Sequence, residues 1–309
     1  MLDAMAFGSN LRAIFSSFQY LLFIDNPSHL VTLSSGLRVP LPLHVYSCSM
    51  TIVHGTVDLE LVQKLTDGQN LEPVVLREKG APDRAVAQLW LNQYLDTNIG
   101  PYQETMVSFS CTTPGTTPVF KYNNYLSTLK PFVDSGCLLL IPWLYLDTDY
   151  PIAVGRQVWG FPKKLGRLES EWQASRYSQE THTEDGDLVL QASIDMKLGF
   201  LAELKAIALM FRGLGIGTTL RLLTSLFNSA TAITPTVLKQ THAPVKYSGL
   251  PRLFPWSAGD TLEWGEKPEF GAELAAMGFN PRAVQYMPLE RFMMLADESE
   301  LGDPVDDST

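Results

Sequence analysis

Cysteine is scarce in this sequence. Cys48, Cys111 and Cys137 are odd in number and widely spaced, and no C-x-x-C pair is present. That excludes a disulfide framework and a zinc knuckle, suits a reducing compartment, and makes a cytoplasmic location the expectation. Basic charge is also in deficit. The 23 Lys and Arg stand against 33 Asp and Glu, a formal net charge of -10. Nucleic acids and anionic membranes are bound by neutralising phosphates with Lys and Arg, so neither is expected as a partner and a small molecule is. His29, His44, His54, His182 and His242 show no metal-ligand spacing, and no metal is expected. His182, between Thr181 and Thr183, reads as an exposed loop residue. The glycines at Gly213, Gly215 and Gly217 lie between two expected helices. A dinucleotide site needs G-x-G-x-x-G between a strand and a helix, so they read as an interhelical loop and no cofactor is expected.

Long apolar runs are missing as well. The stretch Leu11 to Ile24 is interrupted by Arg12, Ser16, Ser17 and Gln19, whereas a bilayer core needs about 20 apolar residues. It also lacks the leading positive charge and small-residue cleavage site of a secretory signal. Its apolar residues fall at helical spacing behind Asn10, which predicts an amphipathic helix packed on the domain or on a neighbouring subunit of a homo-oligomer. Neither repeats nor low-complexity linkers divide the chain. The reading is an extension over residues 1–43, one domain over 44–297, and an acidic disordered tail over 298–309.

What is present is mostly strand. His44 to Val57 has β-branched, alternating character, and the segment from Val57 to Gly68 reads as a strand end followed by a short helix. "RAVAQLWLNQYLDT" and "YQETMVSFSCTT", separated by a turn at Asn98 to Pro101, predict an antiparallel pair. "SGCLLLIPWLYLDTD" is a buried strand with a bulge at Pro142. "GRLESEWQAS" and "DLVLQASIDM" read as two strands flanking a polar stretch from Tyr177 to Asp187, in which Asp185-Gly186 signals a hairpin. Prolines punctuate late strands in "PVKYSGLPRLFPWSAGDTLEWGE", and "NPRAVQYMPLERFMMLAD" closes the fold.

The chain is organised around Tyr150 to Leu168, "YPIAVGRQVWGFPKKLGRL". Here Lys163 and Lys164 follow Val158, Trp159, Gly160, Phe161 and Pro162 and precede Leu165. Packing such a segment desolvates an ammonium, and desolvation lowers a lysine's pKa. From an ordinary value of about 10.4, roughly one lysine in a few thousand is neutral at neutral pH, and a value near 7 frees about half. A neutral lysine amine attacks a ketone to form an imine, and the protonated imine withdraws electrons from the neighbouring carbon–carbon bond.

Read in one register, Gly155, Arg156, Pro162, Lys163, Lys164, Leu165 and Gly166 resemble the core motif of the acetoacetate decarboxylase family. The resemblance is strongest from Leu144 to Leu168 and thin through the last third. It implies a mainly β (α+β) fold, a closed antiparallel β-barrel with a few peripheral helices. It also implies that Lys163 is the Schiff-base residue, and that Glu104, in "GPYQE", is an acidic residue facing the lysine. Tyr102, Trp159 and Phe161 are candidate substrate-binding residues. Arg156 and Lys164 join them, although in an extended chain Lys164 would point away from the face of Lys163.

Three departures bear on function. The family's substrate-carboxylate arginine on an early strand has no counterpart in "HVYSCSMTIVHG". Its second glutamate falls in "AVAQLWLNQY", where only Gln88, Asn92 and Gln93 are polar, and its Gly-Arg-Glu becomes Gly155-Arg156-Gln157. The expectation is therefore a Schiff-base lyase that decarboxylates a β-keto acid larger than acetoacetate, such as a polyketide-derived one. Trp90, Tyr94, Tyr102, Trp159 and Phe161 would supply apolar contact in place of the arginine. One alternative keeps the imine but uses it for aldol condensation or dehydration of a keto acid or ketone. Another is a noncovalent binding or cyclising scaffold.

Overall fold

The computed structural model describes residues 21–24, 26–115, 119–121, 124–129, 137–196, 208, 210–212, 215–217, 228–233, 242–248 and 252–296. The expected amphipathic helix lies outside these residues except for Leu21–Ile24, which is helical. The acidic tail lies outside them, as do most of the two helices around Gly213.

The described chain forms seventeen strands: β1 (His29–Thr32), β2 (Arg38–Leu41), β3 (Leu43–Asp58), β4 (Glu72–Pro73), β5 (Val75–Arg77), β6 (Arg84–Thr97), β7 (Tyr102–Thr112), β8 (Val119–Lys121), β9 (Leu138–Leu146), β10 (Lys163–Gln173), β11 (Arg176–Thr183), β12 (Leu188–Asp195), β13 (Asn228–Ile233), β14 (His242–Ser248), β15 (Arg252–Pro255), β16 (Thr261–Trp264) and β17 (Asn280–Met294). Helices are short. Leu59–Thr66 starts where the Asp58 side chain accepts the backbone N–H groups of Glu60 and Leu61. Phe270–Ala276 packs against β12 and β16. Among the described residues no helix is long and apolar enough to cross a membrane.

β1 and β2 pair as a separate hairpin, and the other fifteen strands form one sheet. The mainly β expectation holds, but one closed antiparallel barrel does not describe the sheet. β3, β6, β7, β9, β13, β14 and β17 pair in a circuit that returns to β3, and the sheet as a whole is curled and open-ended because further strands branch from that circuit. The main branch lies at β9, which has β7 along one edge and shares the other between two parallel partners. β13 takes Leu138 to Leu140 and β10 takes Leu144 to Leu146. The sheet therefore forks there, and β10, β11, β12 and β16 branch off as a second arm whose Leu168, Tyr177 and Leu190 pack into the same core as Leu89 and Phe109.

Strands at the centre are buried on both faces, and strict alternation sorts their side chains into two cores. On β6 and β7, Leu89, Leu91, Val107 and Phe109 enter one core; Trp90, Tyr94 and Tyr102 enter the other. Leu33, Val39 and Leu41, from the segment read as an extension, pack into the second core as well. The bulge in β9 is present. Val107 pairs with Trp143 but Phe109 pairs with Leu140, so β9 carries one extra residue at Ile141–Pro142.

The polar stretch after Tyr177 is a strand rather than a loop, which corrects the sequence reading. Tyr177, Gln179 and Thr181 on β11 are buried because polar groups elsewhere satisfy them. Gln179 Nε2 donates to Thr105 Oγ1 at 2.6 Å, and the hydroxyls of Thr105 and Thr181 lie 2.7 Å apart. His182 accordingly sits on β11 with its ring half-buried and Nε2 3.2 Å from Glu180 Oε2, not in an exposed loop. The hairpin at Asp185-Gly186 joins β11 to β12, with Gly186 at φ 91°.

Candidate active site

Four neighbouring strands, β6, β7, β9 and β10, bring the site together. Asn92 pairs with Glu104, Glu104 pairs with Leu146, and Lys163 pairs with Leu144. Leu144 and Leu146 are two residues apart and share a face, so Glu104 and Lys163 project to the same side and straddle β9. Lys163 Nζ lies 3.2 Å from Glu104 Oε2, with the two side chains 10% and 5% exposed. Tyr94 donates its hydroxyl to the other carboxylate oxygen at 3.0 Å and accepts from Asn92 Nδ2 at 3.3 Å. The Tyr94 and Tyr102 rings stack with centroids 4.3 Å apart. Lys163 Nζ stands 5.9 Å from the ring centroids of Tyr102 and Phe161. Burial, reinforced by the Glu104 charge, raises both tyrosine pKa values well above the ordinary range, so both remain hydroxyl donors.

The lysine is delivered by a helical crossover. Asp149–Val154 is α-helical and widens into a π-turn over Gly155–Trp159, an irregularity found disproportionately at functional sites. Gly160 then adopts φ 72°, and Phe161 N–H bonds back to the Gly155 carbonyl at 3.1 Å. Trp159 Nε1 donates to the Leu295 carbonyl at 2.9 Å, and Arg156 Nε donates to the Lys163 carbonyl at 2.9 Å. The Ser35 hydroxyl is in close contact with Gln157 Oε1, so the β1–β2 turn braces the same segment. The Lys163 side chain lies directly over Gly155. A Cβ there would come within 2.6 Å of Lys163 Cδ and 3.0 Å of Nζ.

These residues face a cavity of about 100 Å³ whose lining includes all five aromatics singled out from the sequence, Trp90, Tyr94, Tyr102, Trp159 and Phe161. Four methionines, Met50, Met106, Met287 and Met294, line it too, giving it soft and adaptable walls. Among the described residues no group of three or more His, Cys, Asp or Glu could hold a metal ion.

Arg156 and Lys164 are not part of the lining, which corrects their placement beside the substrate. Arg156 is exposed and serves the backbone of Lys163. Lys164 follows the strand's alternation to the opposite face, where Nζ pairs with Glu269 Oε2 at 2.9 Å and stands 5.7 Å from the Tyr145 ring centroid. Lys164→Ala is therefore expected to form a lysine imine within about threefold of the parent rate at every pH, as fits loss of an exposed ion pair. A large loss recovered at high pH would show instead that its charge acts on Lys163.

Sequence reasoning did not single out the hydrogen bond from Tyr94 to Glu104, its support from Asn92, or the space left by Gly155. Alternation along β6 from Trp90 could have placed Asn92 and Tyr94 on the face of Glu104. The Gly155 contact had no local signal, because it depends on the π-turn.

A family model described as acetoacetate decarboxylase (ADC) matches residues 31–206, a span that contains both Glu104 and Lys163. Among solved structures, the chain is similar to an acetoacetate decarboxylase from Legionella pneumophila subsp. pneumophila str. Philadelphia 1. The identity is 15% over 82% of this chain and 85% of that one, with a TM-score of 0.51, a likeness of fold. It is also similar to the enduracididine biosynthesis enzyme MppR complexed with pyruvate, at 14% identity over 89% and 94% of the two chains, TM-score 0.49. An acetoacetate decarboxylase-like enzyme from Sphingomonas wittichii RW1 aligns at 12% identity over 84% and 92%, TM-score 0.49. No curated protein matches the sequence.

Proposed function

The chain belongs to the acetoacetate decarboxylase family, and on that premise we propose that it is a lyase whose Lys163 forms an imine with a ketone substrate larger than acetoacetate. The observation that carries the reading is the ion pair of Lys163 and Glu104 at 3.2 Å in an apolar cavity. The lysine amine adds to the carbonyl carbon and the carbonyl oxygen leaves as water. In the first reading the substrate is a β-keto acid: the electrons of the carboxylate's C–C bond move into the iminium, carbon dioxide departs, and an enamine remains. Glu104 takes a proton from water and passes it to the enamine carbon, and hydrolysis returns the ketone and the free amine. In the second reading the substrate carries no carboxylate at the reacting carbon. Glu104 removes an α-proton, and the enamine enters aldol addition or dehydration. The lining favours this reading, since among the described residues Lys163 is its one cation.

In either reading apolar contact replaces a charge-assisted anchor. Burying roughly 100 Å² of additional substrate surface, at about 25 cal/mol per Å², offsets a lost polar contact of about 2 to 3 kcal/mol. Homo-oligomeric assembly and a cytoplasmic location belong to the same proposal. The test is borohydride reduction in the presence of keto acids and ketones of increasing size, with carbon dioxide release measured alongside. A substrate-derived mass on Lys163 is expected, and its absence across the series would leave only a noncovalent scaffold. Acetoacetate should be a poor substrate. Turnover of acetoacetate within the usual enzymatic range of about 1 to 1000 per second would overturn the requirement for a larger one.

A further inference from the structure

The charges inside the cavity bear on the substrate's own charge. Of the seventeen described residues lining it, only Lys163 and Glu104 bear a formal charge. They are of opposite sign, 3.2 Å apart and almost out of water, so the described lining is neutral. Around them stand Met50, Met106, Leu144, Met287 and Phe292. The two cations of the lysine segment beside Lys163 do not line the cavity: Lys164 is held by Glu269 on the other face and Arg156 is turned to a backbone carbonyl.

Imine formation from an uncharged ketone preserves this balance. The ammonium and the carbonyl give an iminium and water, no proton enters or leaves, and the iminium inherits Glu104 as its counter-ion. Transfer of an α-proton to Glu104 then converts iminium and carboxylate into enamine and carboxylic acid. Two charges vanish together, a change that apolar surroundings favour. When the enamine adds to an aldehyde, the new oxyanion recovers that proton and the ion pair is restored. A carboxylate beside the imine breaks the sequence. The cavity would hold one cation against two anions, and the described lining offers the second anion no further cation and only tyrosine hydroxyls, unless it or Glu104 carried a proton.

We propose that this site is built for a carbonyl substrate whose reacting end is uncharged, a ketone with apolar substituents, and that the bond made or broken at its imine is carbon–carbon or carbon–oxygen rather than the bond to a carboxylate. The proposal rests on the imine reading and decides between its two outcomes.

Levulinate and its methyl ester test it, since neither loses carbon dioxide from an imine and they differ by one charge near the carbonyl. The protein is reduced with borohydride in each, the rate of mass gain on the Lys163 peptide is measured, and both rates are divided by those for free lysine. The ester is expected to label Lys163 at least about a hundredfold faster, as fits a burial penalty of several kcal/mol for an unpaired ion. Equal rates, or faster labelling by the acid, overturn the charge inference and leave the imine standing. No label from either, nor from a longer methyl ketone, removes the imine reading and the inference with it.

Discussion

Lys163→Met is expected to end borohydride capture and to lower turnover by at least about 10⁴-fold, the scale on which loss of a covalent nucleophile is felt. It should also destabilise the protein. Glu104 is 4% exposed, and without Lys163 its carboxylate keeps, among the described residues, only the Tyr94 hydroxyl. Removing one partner of a buried ion pair typically costs about 3 to 5 kcal/mol, whereas replacing both charges with neutral groups of similar shape is often neutral or stabilising. Lys163→Met combined with Glu104→Gln should therefore regain most of the lost stability while remaining inactive. Denaturant titration of the parent, the single and the double variant checks this. A double variant as unstable as the single would mean that the pair is not what holds this region. Recovery would mean that the charges are retained for chemistry at no benefit to the fold.

Gly155→Ala should separate activity from stability in the other direction. Gly155 has φ -64° and ψ -39°, ordinary helical values that alanine adopts with a gain of about 0.5 to 1 kcal/mol over glycine. The added methyl group, however, occupies the path of the Lys163 side chain, 2.6 Å from Cδ and 3.0 Å from Nζ. The lysine stem is flexible and will yield, carrying Nζ away from Glu104. Misplacing a reacting group by about 1 Å can cost about 10²-fold in rate. The expected variant melts at or above the parent temperature and forms the imine about a hundredfold more slowly. Parent-like labelling of Lys163 would show that the amine reaches its position by another route.

Much of the strand order was legible because alternation is a local signal. β6 has the bounds read from its sequence, and Pro142 inside an apolar run announced the bulge in β9. β11 was missed because Gln179 and Thr181 are polar letters buried by partners on another strand, Thr105 among them. The branching of the sheet was missed because the fork at β9 depends on β13, more than eighty positions away in the chain. Lys163 and Glu104 came from a motif and its resemblance. Their pairing follows from registers with Leu144 and Leu146 that sequence does not display. Lys164 and Arg156 were placed beside the substrate by their closeness along the chain to Lys163, yet alternation sends the first away and the helical turn commits the second to the backbone.

The extra residue at Ile141–Pro142 also determines which changes of length the gene could tolerate. Leu139 and Ile141 before the bulge, and Leu144 and Leu146 after it, all reach the same core because the bulge resets the phase between them. Deleting one codon there would remove the extra residue and leave a regular ladder, in which Leu139, Ile141, Leu144 and Leu146 keep one face and Lys163, registered on Leu144, keeps its alignment with Glu104. Deleting one between Trp143 and Leu146 would instead exchange the faces beyond the cut and turn Leu146 into the opposite core. The turn at Asp185-Gly186, far from that register, could gain or lose a residue with much less consequence. Descendants of this chain should therefore exchange apolar residues along β9 freely, lose a residue at Ile141–Pro142 with little consequence, and almost never change its length beyond Trp143.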